Sequence, residues 1–97
     1  MDRWTEYELF VKVTELGSLN KAAEALGLSN AAASRHLAAL EDRLGARLIE
    51  RSTRRLFVTE VGKDFYNNSK AALLAMQGAT DAVSATKSHP EIGRAHV

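Results

Sequence analysis

The stretch from Ser18 to Leu44, SLNKAAEALGLSNAAASRHLAALEDRL, constrains the chain most, because two helix-forming runs are parted only by Gly27, Leu28 and Ser29. Ser18 or Asn20 is suited to cap the first run, which continues through Leu26. Gly27 stands where a helix end needs a residue that tolerates positive φ. Ser29 or Asn30 can cap the second run, Ala31 to Leu44, which stops at Gly45. So short a break is the spacing of a helix-turn-helix. Side-chain size agrees, since Ala22 and Ala23 fall where two crossing helices come closest and larger residues would hold them apart.

The second run has two unlike faces. Leu26, Leu28, Ala33, Leu37, Leu40 and Leu44 form an apolar set, stepping by four, three and four from Ala33 onward. The other face carries Asn30, Ala31, Ser34, Arg35 and Ala38. A helix face turned to water favours long charged residues. Small and hydrogen-bonding residues with one cation instead suit close approach to another surface, such as the floor of a DNA major groove. An ordinary helical hairpin in a bundle is the competing reading of this segment alone.

Charge distribution adds to this. The 97 residues carry a net charge of only +1. Residues 1 to 30 hold Asp2, Glu6, Glu8, Glu15 and Glu24 against Arg3, Lys12 and Lys21. Residues 31 to 59 hold Arg35, Arg43, Arg47, Arg51, Arg54 and Arg55 against Glu41, Asp42 and Glu50. The excess is local and made of arginine, whose fork suits phosphate. A polyanion can therefore meet a positive face on a nearly neutral protein.

Residues 3 to 16 read as a first helix, with Trp4, Tyr7, Phe10 or Val11, and Val13 on one side and Glu6, Glu8, Lys12 and Glu15 mostly elsewhere. It is expected to supply core bulk that the alanine-rich hairpin lacks, Trp4 included. After Gly45 the pattern becomes that of a β-hairpin: Leu48 to Arg51 and Leu56 to Val58 as short strands, Ser52 to Arg55 as the tip. Two strands are unstable alone and must pack on the helices, which makes this hairpin the wing of a winged helix. A solvated charged loop is the plainer reading of Arg51, Arg54 and Arg55. Their place beside the second hairpin helix favours a binding role. From Thr59, a plausible cap, a helix is expected from Glu60 to about Thr86, with Val61, Phe65, Ala72, Met76 and Val83 in a row and Leu73 beside it. A long helix with an uncovered apolar row tends to pair with a second copy of itself.

Other classes lack their signatures. There is no cysteine, and His36, His89 and His96 are too scattered for a metal cluster. No nucleophile–base pair, carboxylate cleft or glycine-rich phosphate loop is evident, so neither an enzyme nor a cofactor is expected. Ser34 and His36, two apart on a helix, point in different directions. No run is long and apolar enough to span a bilayer, and the N-terminus is too acidic for a signal peptide; the lack of cysteine fits a reducing cytoplasm, and DNA binding would place the protein on the nucleoid. A protein-interaction module that dimerises without binding DNA remains the rival, since it needs the long helix but not the arginine tip.

The segments FVKVTELGSLNKAAEALGLS and ASRHLAALEDRLGARLIERSTRRLFVTEVG resemble the N-terminal DNA-binding domain of LysR-type bacterial transcriptional regulators over about residues 1 to 86. The resemblance implies a mainly α fold: a winged helix-turn-helix of three helices and a two-stranded wing in residues 1–59, then a linker and dimerisation helix in 60–86. It implies double-stranded DNA and a homodimer as partners, and a small-molecule effector bound only through a C-terminal domain that these residues do not include. Ser29, Asn30, Ala31, Ser34, Arg35, Arg51, Arg54 and Arg55 are the expected DNA contacts; Val61, Phe65, Ala72, Met76 and Val83 the dimer row. The chain departs from the family at Asn30 and Ala31, where glutamine and proline or serine are common, and at Ala33, His36, Ile49 and Phe57. Base preference therefore cannot be copied from relatives. Residues 87 to 97 are expected to lack structure. EIGRAHV, residues 91–97, matches the translation of a common sequencing adapter, so it is expected to be non-native and the true gene to continue.

Overall fold

The molecule, a computed structural model described over residues 3–52 and 55–88, contains four helices and one two-stranded sheet. They are α1 (Arg3–Leu16), α2 (Leu19–Ala25), α3 (Asn30–Leu44), β1 (Ile49–Arg51), β2 (Leu56–Val58) and α4 (Glu60–Ser88). None of the described helices is long and apolar enough to cross a membrane. Residues 91–97, and with them the adapter-like segment, lie outside the described residues, as do Asp2, His89 and His96.

Side-chain caps decide where the hairpin helices begin. Ser18 Oγ accepts the Lys21 amide at 3.1 Å, and Ser29 Oγ accepts the Ala32 amide at 3.1 Å. Serine thus satisfies an amide that the first helical turn leaves without a partner. Ser18 and Ser29, not Asn20 and Asn30, are the caps, and α3 starts one residue earlier than expected. At the other ends, Gly27 and Gly45 adopt φ of +70° and +65°, values that cost an L side chain strain. The Gly45 amide returns to the Glu41 carbonyl at 2.8 Å and closes α3.

The core is built where α1, α2 and α3 cross. Leu9, Phe10 and Val13, with Ala22, Ala23, Ala33, Leu37 and Leu40, join Leu48 and Ile49 in one buried cluster. Ala22, Ala23 and Ala33 are wholly buried, as contact between crossing helices requires. Leu9, absent from the expected row, is buried because α1 packs against α2, α3 and α4 together. Phe65 lays its ring on Phe10 and Tyr7, at centroid separations of 5.5 and 5.9 Å.

Three expectations are corrected. Trp4 is 40% exposed: it sits in the first turn of α1, where it borders open grooves shared with α4. Leu44 is also 40% exposed, because the chain turns away at Gly45 and the burial passes to Leu48 and Ile49. Glu6, assigned to the solvent side, is buried. Its carboxylate lies 2.5 Å from the Arg43 guanidinium, which pins α1 to the end of α3 and makes that burial tolerable.

The root of α4 is held closely. Thr59 Oγ1 accepts the Gly62 amide at 2.9 Å and donates to the Arg47 carbonyl at 2.7 Å, so one residue caps α4 and anchors it to the segment before β1. A Cβ on Gly62 would collide with the Leu48 carbonyl oxygen and stand 2.8 Å from Val58 Cγ1, which leaves glycine as the residue that fits. The helix runs two residues past its expected end.

Candidate nucleic-acid interface

The candidate interface has two pieces that different forces put in place. The first is the exposed face of α3. Its apolar residues Ala33, Leu37 and Leu40 anchor it in the core, which turns Asn30, Ala31, Arg35 and Ala38 outward with Ser34 half-buried beside them. Ser29 is exposed as well, with its hydroxyl committed to the cap. His36 is buried among the core-facing residues, so this departure from the family pattern lies off the outer face.

The second piece is the wing. β1 and β2 pair antiparallel, with Ile49 opposite Val58, Glu50 opposite Phe57 and Arg51 opposite Leu56. Strand alternation puts Ile49 and Val58 toward the helices and Glu50 and Phe57 outward. Leu48, expected as the first strand residue, instead gives its amide to Glu41, and the assigned strand starts at Ile49. The tip is closed by the Ser52 amide donating to the Arg55 carbonyl at 2.9 Å and the Arg55 amide donating to Ser52 Oγ at 3.0 Å. The Arg55 guanidinium lies 5.5 Å from the centre of the half-exposed Phe57 ring, a cation–π contact on the outer face. Arg54, with Thr53, lies outside the described residues.

Arg51, Ser52 and Arg55 share an open cleft with Ser18 and Asn20 at the start of α2. Among the described residues, Arg35, Arg51 and Arg55 form no salt bridge. The carboxylates nearest in sequence to Arg51 are engaged elsewhere, Glu50 with Arg47 and Glu60 with Lys63. Such arginines retain their donors for an external anion. Among the described residues no group of three or more His, Asp or Glu could hold a metal ion.

Glu41 organises this surface in a way the sequence reading did not anticipate. From the outer turn of α3, its Oε2 accepts the amides of Leu48 at 2.7 Å and Ile49 at 3.1 Å. A charged acceptor on two adjacent amides fastens the root of the wing to the helix beside it. The sequence signal is an acid four residues before the helix-ending Gly45, which composition alone classes as one of the counter-charges to the arginines.

Three helices, a hairpin with a short turn and a basic two-stranded ribbon define a winged helix-turn-helix domain. The family model for "Bacterial regulatory helix-turn-helix protein, lysR family" matches residues 4–63. The chain is 37% identical over 86 residues to the HTH-type transcriptional regulator CrgA of Neisseria meningitidis, a match covering 89% of this chain and 29% of that protein. It is 47% identical over 81 residues to a probable hydrogen peroxide-inducible genes activator of Mycobacterium leprae, covering 84% of this chain and 26% of the relative. Among solved structures, the DNA-binding domain of BenM in complex with catB site 1 DNA superposes with a TM-score of 0.82 at 30% identity, covering 91% of this chain and 97% of that one. This chain belongs to the lysR family of bacterial regulatory helix-turn-helix proteins, a family of transcriptional regulators and not of enzymes. It spans under a third of the length of the two relatives named.

The Glu41 contact generates a direct test. Glu41→Ala strands two partly buried amides, and is expected to lower unfolding free energy by about 1–3 kcal/mol in urea titration. Hydrogen exchange at Leu48 and Ile49 should accelerate more than at Leu9 or Leu37. Equal acceleration at all four would show that Glu41 supports the whole fold and not the wing.

Proposed function

We propose that this chain is the DNA-binding part of a transcription regulator that recognises a specific double-stranded DNA site as a homodimer. In this reading α3 enters the major groove with Asn30, Ala31, Ser34 and Arg35 nearest the base edges. Arg51 and Arg55, with Arg54, reach backbone phosphate or the adjacent minor groove, where arginine reads width and negative potential. The observation that carries the reading is the outer face of α3, small, hydrogen-bonding and singly cationic, on a domain whose wing arginines Arg51 and Arg55 form no salt bridge among the described residues. Asn30 has the paired donor and acceptor that adenine presents, on a shorter stem than glutamine.

The dimer is proposed to form through α4. Val61, Met76 and Val83 are each more than half exposed along it, and Ala72 is exposed between them. Phe65 lies on the same row, but its ring serves the core through Tyr7 and Phe10, so a substitution there would damage the fold together with any dimer. In the whole regulator a small-molecule effector would act through a further C-terminal domain, and the protein would work in the cytoplasm on the nucleoid. Higher oligomers would arise at that level.

Two measurements check this. On a site recovered by selection from random DNA, Arg35→Ala is expected to cost about 1–3 kcal/mol if it forks onto guanine, with little loss on random DNA. Arg51→Ala and Arg55→Ala should weaken both DNAs alike and flatten log affinity against log salt by about one unit for each phosphate left without its arginine. An unchanged slope in a folded variant would remove that arginine from the interface. In sedimentation, Met76→Asp is expected to dissociate the parent dimer, because it would bury an unpaired charge in the seam. A variant as dimeric as the parent would move the seam off this row.

A further inference from the structure

The winged domain and α4 are joined by a polar contact that neither the core nor the DNA face requires. Glu15, near the end of α1, receives the Tyr66 hydroxyl at 2.7 Å and the Lys70 ammonium at 2.8 Å, both on its Oε2. Lys70 and then Tyr66 hold the Glu15 carboxyl below its usual range, with Lys12 adding to the effect; Glu15 in turn raises both Lys70 and Tyr66. Toward the start of α1, along the same contact with α4, Trp4 and Tyr7 border an open groove with Phe65, Ser69 and Leu73. The groove leaves the α1–α4 contact open at the Trp4 end, and the Glu15 bonds fasten it at the other end.

We propose that Glu15, Tyr66 and Lys70 form a clamp that sets the angle at which α4 leaves the winged domain, and through it the separation of the two recognition helices in the dimer. The three are positioning residues for DNA recognition, and the inference rests on the dimeric DNA reading above. Geometry supplies the leverage. From Lys70 to Ser88 the helix extends roughly 27 Å at about 1.5 Å per residue. A tilt of about 10° at the clamp moves the far end by about 5 Å, more than the ~3.4 Å step between neighbouring base pairs. If the partner pairs along that segment, a loosened clamp lets the two domains sit over several half-site spacings. A held clamp selects one, as a dimer reading two half-sites needs. An exposed ion pair adds little stability, so its loss should alter spacing selectivity without unfolding the domain.

The test uses a two-half-site DNA selected by the parent chain, and copies with spacers shortened or lengthened by one to three base pairs. For the parent, one spacing is preferred. In Glu15→Ala and Lys70→Ala that preference is expected to shrink by at least about fivefold, while affinity for an isolated half-site stays within about twofold. Lys70→Arg keeps the charge and should retain the preference. Where Glu15→Ala fails to fold by circular dichroism, Tyr66→Phe, which removes one hydroxyl, carries the test with a smaller loss in the same direction. An unchanged spacing preference in folded Glu15→Ala overturns the clamp. So does a half-site loss equal to the full-site loss, which would make the residues ordinary supports of the domain. A parent that binds no selected DNA overturns the dimeric reading itself, and the clamp with it.

Discussion

Everything that α3 presents outward depends on how closely it can cross α1 and α2. Ala22, Ala23 and Ala33 are wholly buried at that crossing, where each side chain is a single methyl. Forcing a larger group into such a contact costs typically about 1–3 kcal/mol and shifts the backbone that carries it. The orientation of the outer face, from Asn30 to Ala38, is therefore fixed from behind. Leu9, Phe10, Val13, Leu37 and Leu40 then supply the apolar area that holds the crossing shut.

The wing is placed by polar contacts as well as by packing. Ile49 is buried, yet a three-residue strand pair has little cohesion of its own. Glu41 grips it from α3, and Thr59 ties the Arg47 carbonyl to the first turn of α4. Gly62 lets α4 approach the Leu48 carbonyl where no Cβ fits. One short segment, residues 41 to 62, thus couples α3, the arginine ribbon and the root of the long helix. A disturbance in any one reaches the other two through these bonds.

Local signals were legible in the sequence, and partnerships across it were not. Ser18, Gly27, Ser29 and Gly45 mark helix ends through backbone chemistry that needs no tertiary context, and the helix-turn-helix and wing followed from them. The wing strands were placed from their apolar and β-branched residues, and their register came from the folded chain. The α1 row misled because α1 is packed against three helices, so burying Leu9, and Phe10 and Val11 together, blurs a one-sided period. Glu6 and Trp4 changed places with expectation for the same reason: Arg43 of α3 compensates the carboxylate, while Trp4 borders an open groove shared with α4. The double amide contact of Glu41 spans seven and eight residues, and Glu15 reaches Tyr66 across 51, distances at which composition carries no signal. The elements that carry the proposed DNA contacts, α3 and the wing, were placed from the sequence to within a residue or two at their ends. The shared cleft with Ser18 and Asn20 needed the folded chain.

The central claim, that α3 and the wing together form the DNA surface, is tested most directly by following backbone amide resonances during titration with selected duplex DNA. The account predicts the largest shifts at Asn30, Ala31, Ser34 and Arg35 and at Arg51 to Arg55, with Leu9, Phe10 and the Trp4 end of α1 nearly unmoved. Shifts concentrated along α4 or at the Trp4 groove, with α3 silent, would contradict it.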